Sequence, residues 1–255
     1  MQKKNLKEKL NKFGKYLKDI VFPRNLKCIF CKEELNQNEM NSTCEVCLQT
    51  LPFITNACPR CGGVLPKEAT GVCVDCKINN YDFISAFSVF EYKNEVVSVI
   101  HNLKYNGKTY LVKPIAKFMA QRFATENIEI DFLTSVPIHA EKFKVRGFNQ
   151  SELLAKGICE LLGYKYLELC QKVINTKSQT ELNFSERKDN VKDSFAFNKQ
   201  FKGQVKGKSV LIIDDIFTTG ATSNEICKVL LKAGAAKCYV LTFAHVNINR
   251  LTSNN

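Results

Sequence analysis

The chain has 255 residues, 45% of them hydrophobic, with 37 Lys and Arg against 25 Asp and Glu and a formal charge of +12. That length holds one sizeable domain plus a small one, and the composition is that of a globular protein with a real core. No apolar run approaches a membrane span, and the lysine-rich N-terminus lacks the apolar stretch of a signal peptide, so the expected compartment is the cytosol.

The charge is uneven. Residues 1–27 carry nine Lys and Arg against two acids. Within them Leu6, Leu10, Phe13, Leu17, Ile20 and Val21 recur at helical spacing up to Pro23, which predicts a basic amphipathic helix over 1–24. Its apolar stripe can dock on the chain's own domains, and its lysines can face nucleic acid or the inner surface of a membrane. The sequence leaves these three uses open.

Eight of the twelve cysteines fall into four Cys-x-x-Cys pairs: Cys28/Cys31, Cys44/Cys47, Cys58/Cys61 and Cys73/Cys76. One such pair presents two thiolates from a tight turn, and two pairs close a tetrahedral Zn²⁺ site. Four pairs predict two structural zinc ions in a module over 25–80, with sequential or interleaved pairing. A redox use of the pairs is disfavoured, because redox motifs come singly beside a βαβ pattern. From Cys28 to Cys76 there are three basic residues against six acids, so with its thiolates this segment is negative and is expected to scaffold rather than to grip phosphate. Cys159, Cys170, Cys227 and Cys238 lie in apolar segments and read as packing residues.

From about Tyr81 the pattern becomes that of an α/β domain, predicted over 81–246 and followed by a polar tail over 247–255. Residues 84–92 read as a strand, 95–103 and 111–124 as helices, and Leu103–Lys108 as a polar turn between them. A strand over 132–136 leads through Pro137-Ile138-His139 into a basic loop with Lys142, Lys144 and Arg146, then Gly147-Phe148-Asn149-Gln150 and a helix over 151–162. Arg146 is the diphosphate candidate of this loop, because its planar fork matches phosphate oxygens. After a short strand over 169–174, a polar connection carries Lys177 and Arg187, which can close over an anionic substrate.

The chain's organising stretch is Val210–Thr222, followed by a helix and a last strand over 238–243. Val210-Leu211-Ile212-Ile213 suits a strand buried on both faces, and it runs into Asp214-Asp215 and then Thr218-Thr219-Gly220-Ala221-Thr222 before the apolar pattern of Ile226, Val229 and Leu230. Free amides at a helix start, the helix dipole and the threonine hydroxyls make an anion cradle. Two carboxylates beside a phosphate suit sugar hydroxyls or the waters around a divalent cation. A phosphorylated ribose meets both demands.

This stretch resembles the phosphoribosyl pyrophosphate (PRPP) signature of type I phosphoribosyltransferases. With the cysteine pairs, Leu103–Lys108, Arg146–Gln150, Lys177-x-Gln179 and Arg187-x-x-Asn190, the chain is similar to the ComF family of competence proteins. The resemblance implies a type I phosphoribosyltransferase fold, a mainly parallel twisted sheet flanked by helices, behind a double zinc ribbon. It further implies a part in bringing single-stranded DNA into the cell during natural transformation, with a DNA helicase or translocase as partner. PRPP with Mg²⁺ is the implied ligand, its 5′-phosphate on Thr218–Thr222, its hydroxyls on Asp214 and Asp215, and its diphosphate on Arg146. Whether the domain transfers the phosphoribosyl group, and to what acceptor, is left open. A non-catalytic single-stranded-DNA-binding or docking protein and a PRPP-sensing regulator are the alternatives.

Overall fold

The computed structural model describes residues 27–35, 40–174 and 191–247, and the chain divides into two units, 1–50 and 51–255. The expected leader helix, the C-terminal tail, Lys177 and Arg187 lie outside the described residues.

In the first unit a knuckle turns at Cys28–Cys31. The Cys28 amide donates to the Glu33 carbonyl at 2.8 Å, the Lys32 amide to the Cys28 carbonyl at 3.0 Å, and Lys27 bridges Glu34 antiparallel. Cys47 of the second pair lies on helix α1 (Glu45–Thr50), whose start is tied by the Cys47 amide donating to Cys44 Sγ at 3.5 Å.

The second unit begins with another such knuckle. Cys58 N donates to Gly63 O at 2.7 Å, Gly62 N donates to Cys58 O at 2.9 Å, and Ala57 bridges Val64. Its last cysteine sits on helix α2 (Val74–Ile78). The elements that follow are β1 (Ser85–Glu91), α3 (Glu95–Tyr105), α4 (Val112–Ala124), β2 (Phe132–Ser135), α5 (Ala140–Arg146), α6 (Gln150–Leu162) and β3 (Lys165–Tyr166). The chain then forms β4 (Cys170–Lys172), β5 (Phe195–Phe197), β6 (Ser209–Phe217), α7 (Ala221–Lys232) and β7 (Lys237–His245).

Among the described residues five strands form one wholly parallel sheet in the order β1-β7-β6-β2-β3, while β4 and β5 pair antiparallel as a separate two-stranded piece. A parallel sheet needs helices on both faces, so its central strands should be apolar throughout. Val210, Leu211, Ile212 and Ile213 are all fully buried. Val210 and Ile212 join Ile226, Cys227 and Leu230 of α7 in one apolar cluster, while α4 and α6 pack together against β1, β7, β6 and β2. Because ligands of open parallel sheets bind beyond the carboxyl ends of the strands, this arrangement places the end of β6 where chemistry is expected.

Three expectations need correction. The acid pair does not follow the strand: β6 runs on through Asp214 and Asp215 to Phe217, held by register pairs with β7 as far as Phe217↔His245. The segment holding Lys142, Lys144 and Arg146 is not a loop but helix α5, capped at its start by His139 Nδ1, which accepts from the Glu141 amide at 3.3 Å. Leu103–Tyr105 is likewise helical, the last turn of α3.

Candidate phosphoribosyl site

The end of β6 carries two acids with different surroundings. Asp215 is 3% exposed and pairs with Lys104, Nζ to Oδ2 at 2.6 Å. Asp214 is half-buried; its Oδ1 accepts from Ser151 Oγ at 2.8 Å and from the Asp215 amide at 2.9 Å. Burial and the neighbouring Asp215 charge push the Asp214 carboxyl up to about 7, against the opposing pull of Lys104 and the Ser151 hydroxyl. Burial works to lower the Lys104 ammonium, but the Asp215 and Asp214 charges hold it above its ordinary value. Lys104 therefore neutralises one acid, and Asp214 is left as a hydrogen-bond acceptor whose charge changes near neutrality.

Lys104 links this pair to a cleft of about 550 Å³ that is also lined by Tyr105, Lys142 and Arg146. The Arg146 guanidinium donates to Gln150 Oε1 and lies 5.4 Å from the centroid of the Tyr105 ring, so its plane is set by two neighbours. Gly147-Phe148-Asn149-Gln150 builds that placement. Gly147 ends α5 in the left-handed conformation, and Asn149 starts α6 by accepting from the Ser151 amide at 3.1 Å while its own amide donates to Val136 O at 3.0 Å. A further lysine, Lys172 at the end of β4, has its ammonium pushed down to about 8 by burial and by Lys142, with Asp214 opposing.

Beyond Phe217 the chain turns in three residues into α7. Gly220 takes φ 72°, and a Cβ there would meet the Phe217 ring at 2.6 Å and the Tyr81 ring at 2.9 Å, so the bend requires glycine. Thr219 Oγ1 accepts from the Ala221 amide at 3.3 Å, and the Thr219 carbonyl accepts from Tyr81 Oη at 3.0 Å. The Asp82 amide donates to Asn224 Oδ1 at 2.6 Å, so the chain leaving the second knuckle is tied both to the bend and to the first turn of α7. Thr218, Thr219, Gly220, Ala221 and Thr222 form this strand-to-helix bend as expected. Asp214, Asp215 and Arg146 reach the same end of the sheet, brought together through Lys104.

Sequence reasoning missed Lys104, Lys172, Ser151 and Tyr81. A signal for Lys104 was present: it follows the buried Val96 and Ile100 at successive four-residue steps, on the core-facing stripe of α3. Lys172 similarly shares the strand face of the buried Cys170. Ser151 lies at a helix start, where its hydroxyl reads as a cap, and Tyr81 acts across 138 residues of chain.

The cysteine pairing is sequential. Cys28, Cys31, Cys44 and Cys47 form one cluster and Cys58, Cys61, Cys73 and Cys76 another, each with all ligand atoms within 4.8 Å of one another. Zn–S bonds of about 2.3 Å in a tetrahedron require Sγ–Sγ edges of about 3.8 Å. The edges Cys31–Cys44 at 3.6 Å, Cys58–Cys76 at 3.8 Å and Cys61–Cys73 at 3.7 Å meet that requirement, so both clusters fit structural zinc. Cys170, Cys227 and Cys238 are buried.

Fold and site thus define a phosphoribosyltransferase-type domain joined to paired Cys₄ zinc ribbons. The model of the phosphoribosyl transferase domain family matches residues 153–251, and that of the double zinc ribbon domain family matches 17–77. The chain is 29% identical to the DNA utilization protein YhgH of Salmonella typhimurium, over 84% of this chain and 94% of that protein. It is 29% identical to the competence protein ComFC of Streptococcus pneumoniae, over 82% and 96% of the two chains, and 25% identical to competence protein F of Haemophilus influenzae, over 85% and 95%. Over most of its length the chain is thus similar to competence and DNA utilization proteins of the ComF type.

No helix among the described residues is long and apolar enough to cross a membrane.

Proposed function

We propose that the chain binds a phosphoribosyl ligand, PRPP being the fullest match, at the end of β6, and that it serves DNA uptake or utilization as its relatives' names indicate. The observation that carries the reading is the placement of the Asp214–Asp215–Lys104 group between the bend at 218–222 and the basic cleft of Lys142 and Arg146. The 5′-phosphate belongs on the bend, the ribose hydroxyls on Asp214, and the diphosphate in the cleft. Asp215, already paired with Lys104, holds the lysine in place; Mg²⁺ would be carried chiefly by the ligand's own phosphates, with Asp214 the protein carboxylate nearest to it in character. When bound, such an ion neutralises charge on the departing diphosphate. Arg146 and Lys142 would do the same from the protein side, which lowers the barrier to separating diphosphate from the anomeric carbon. In the cell the protein would act on the inner side of the membrane, beside a helicase or translocase that handles incoming single strands.

The test is thermal unfolding with PRPP and Mg²⁺. A ligand at a hundred times its Kd adds about 2.7 kcal/mol, which for a domain of this size raises Tm by roughly 5–10 °C. Asp214→Asn keeps the Ser151 hydrogen bond and should lose most of that shift. A flat response of the parent protein would defeat the reading.

A further inference from the structure

A cavity of about 1100 Å³ in the second unit, sharing no lining residue with the cleft of Lys142 and Arg146, lies between the outer flank of α7 and the β4–β5 piece with the segment that follows it. Lys192, Lys199, Lys202, Lys228 and Lys232 line it, against Asp193 and Glu225. Glu225 is already engaged, with Lys228 at 2.6 Å and with the Asp193 amide at 3.4 Å. Among the described residues Lys192, Lys199, Lys202 and Lys232 have no carboxylate within ion-pair distance, and all four are exposed. Between the cationic edges the floor is apolar: Phe197, Val229 and Ala233, each half-buried.

A groove with cationic walls and an accessible aromatic ring selects a ligand that is anionic at regular intervals and flat and apolar between them. Lys228 and Lys232 stand one helical turn apart, about 6 Å along the axis, and so present charge repeatedly along one wall. A small phosphorylated metabolite would leave most of such a groove unfilled. A duplex hides its base faces, so the Phe197 ring can stack only on bases freed from pairing. We infer that this groove is a binding track for single-stranded nucleic acid, gripping the backbone through Lys199, Lys202, Lys228 and Lys232 and one base face through Phe197. The track is separate from the seat at the end of β6 and stands without it: Asp214→Asn should leave strand binding unchanged.

The experiment is fluorescence anisotropy of a labelled oligothymidylate with the full chain across a salt series. Replacing the four lysines together by glutamine should weaken binding at least tenfold at fixed salt and flatten the slope of log K against log salt by about 3, since each single-strand phosphate contact contributes about 0.7. Phe197→Leu should weaken binding about fivefold or more at an unchanged slope, and Phe197→Tyr should restore it. Single Lys199→Gln and Lys232→Gln variants, each flattening the slope by about 0.7, keep the test if the quadruple variant does not reach the parent's Tm. Unchanged affinity in the lysine variants would overturn the assignment and leave the basic leader as the site of any strand binding. Equal competition by duplex DNA or by polyglutamate would overturn it as well, reducing the groove to a general polyanion patch.

Discussion

The two cysteine knuckles follow the same backbone path in different surroundings. The residue after the second cysteine is left-handed in both, Lys32 at φ 71° in the first and Gly62 at φ 71° in the second. A lysine is tolerated at the first position. At the second, a Cβ would stand 2.5 Å from the Ala86 carbonyl oxygen, because that knuckle lies against β1. The next residue repeats the contrast. Glu33 in the first knuckle corresponds to Gly63 in the second, where a Cβ would meet the His245 ring at 2.7 Å. His245 is buried with neither ring nitrogen hydrogen-bonded, its imidazolium suppressed to about 4 by burial, and it stacks on Phe217 at 4.9 Å. The second ribbon is thus continuous with the strand end that carries the acid pair, and it is bonded to the sheet through Ala86 N to Arg60 O at 2.9 Å and Ile54 N to Val89 O at 3.0 Å. In the second ribbon the metal cluster therefore sits beside the sheet that carries the acid pair.

The sharpest way to break this contrast is to remove one thiol from each ribbon. Cys61→Ser should destabilise the 51–255 unit by about 5 kcal/mol or more and remove the PRPP-induced Tm shift, because zinc binding is folding energy for the elements it organises. Cys31→Ser should release one zinc ion and leave that transition and that shift in place; differential scanning calorimetry with metal analysis reads both.

Next in size is the ion pair. Lys104→Ala leaves Asp215 buried and uncompensated, at an expected cost of about 3–5 kcal/mol in denaturant unfolding. Lys104→Met with Asp215→Asn should recover much of that stability without recovering ligand binding.

Gly62→Ala follows, at about 2–4 kcal/mol for a left-handed Cβ against a carbonyl, whereas Lys32→Gly should stay within about 1 kcal/mol. Equal costs would show that the two knuckles are equivalent after all.

The smallest effect is the pH response of Asp214. A carboxyl raised to about 7 when folded is protonated in the native state but ionised in the unfolded chain between its ordinary range and neutrality. Its contribution to stability is therefore fully present below the ordinary carboxylate range and is lost progressively as pH rises from there through about 7. Sugar binding runs the other way, since the ionised carboxylate is the better acceptor. Affinity for ribose 5-phosphate should rise about tenfold from pH 6 to pH 8, a dependence that Asp214→Asn removes apart from the phosphate's own titration.

Much of this was legible in the chain itself, for identifiable reasons. The fully apolar Val210–Ile213 run declared a doubly covered strand, and the Cys-x-x-Cys pairs declared metal, because both depend on local spacing. Long-range partners were not legible. Lys104 meets Asp215 across 111 residues of sequence, and only the fold turns an apparent surface lysine into the counter-ion of the acid pair. The extent of β6 was misjudged because aspartates ordinarily oppose strand; pairing with β7 out to His245 overrides that preference. Zinc pairing was undecidable from spacing alone, as any two pairs can close a tetrahedron.

Calorimetric titration with ribose 5-phosphate and with 2-deoxyribose 5-phosphate tests the seat at the end of β6 most directly. A hydrogen bond to a charged carboxylate contributes about 1.5–3 kcal/mol, so the ribose form should bind at least about tenfold tighter at pH 8, and Asp214→Asn should erase the difference. Equal affinities for the two sugars, or a preference untouched by Asp214→Asn, would contradict it.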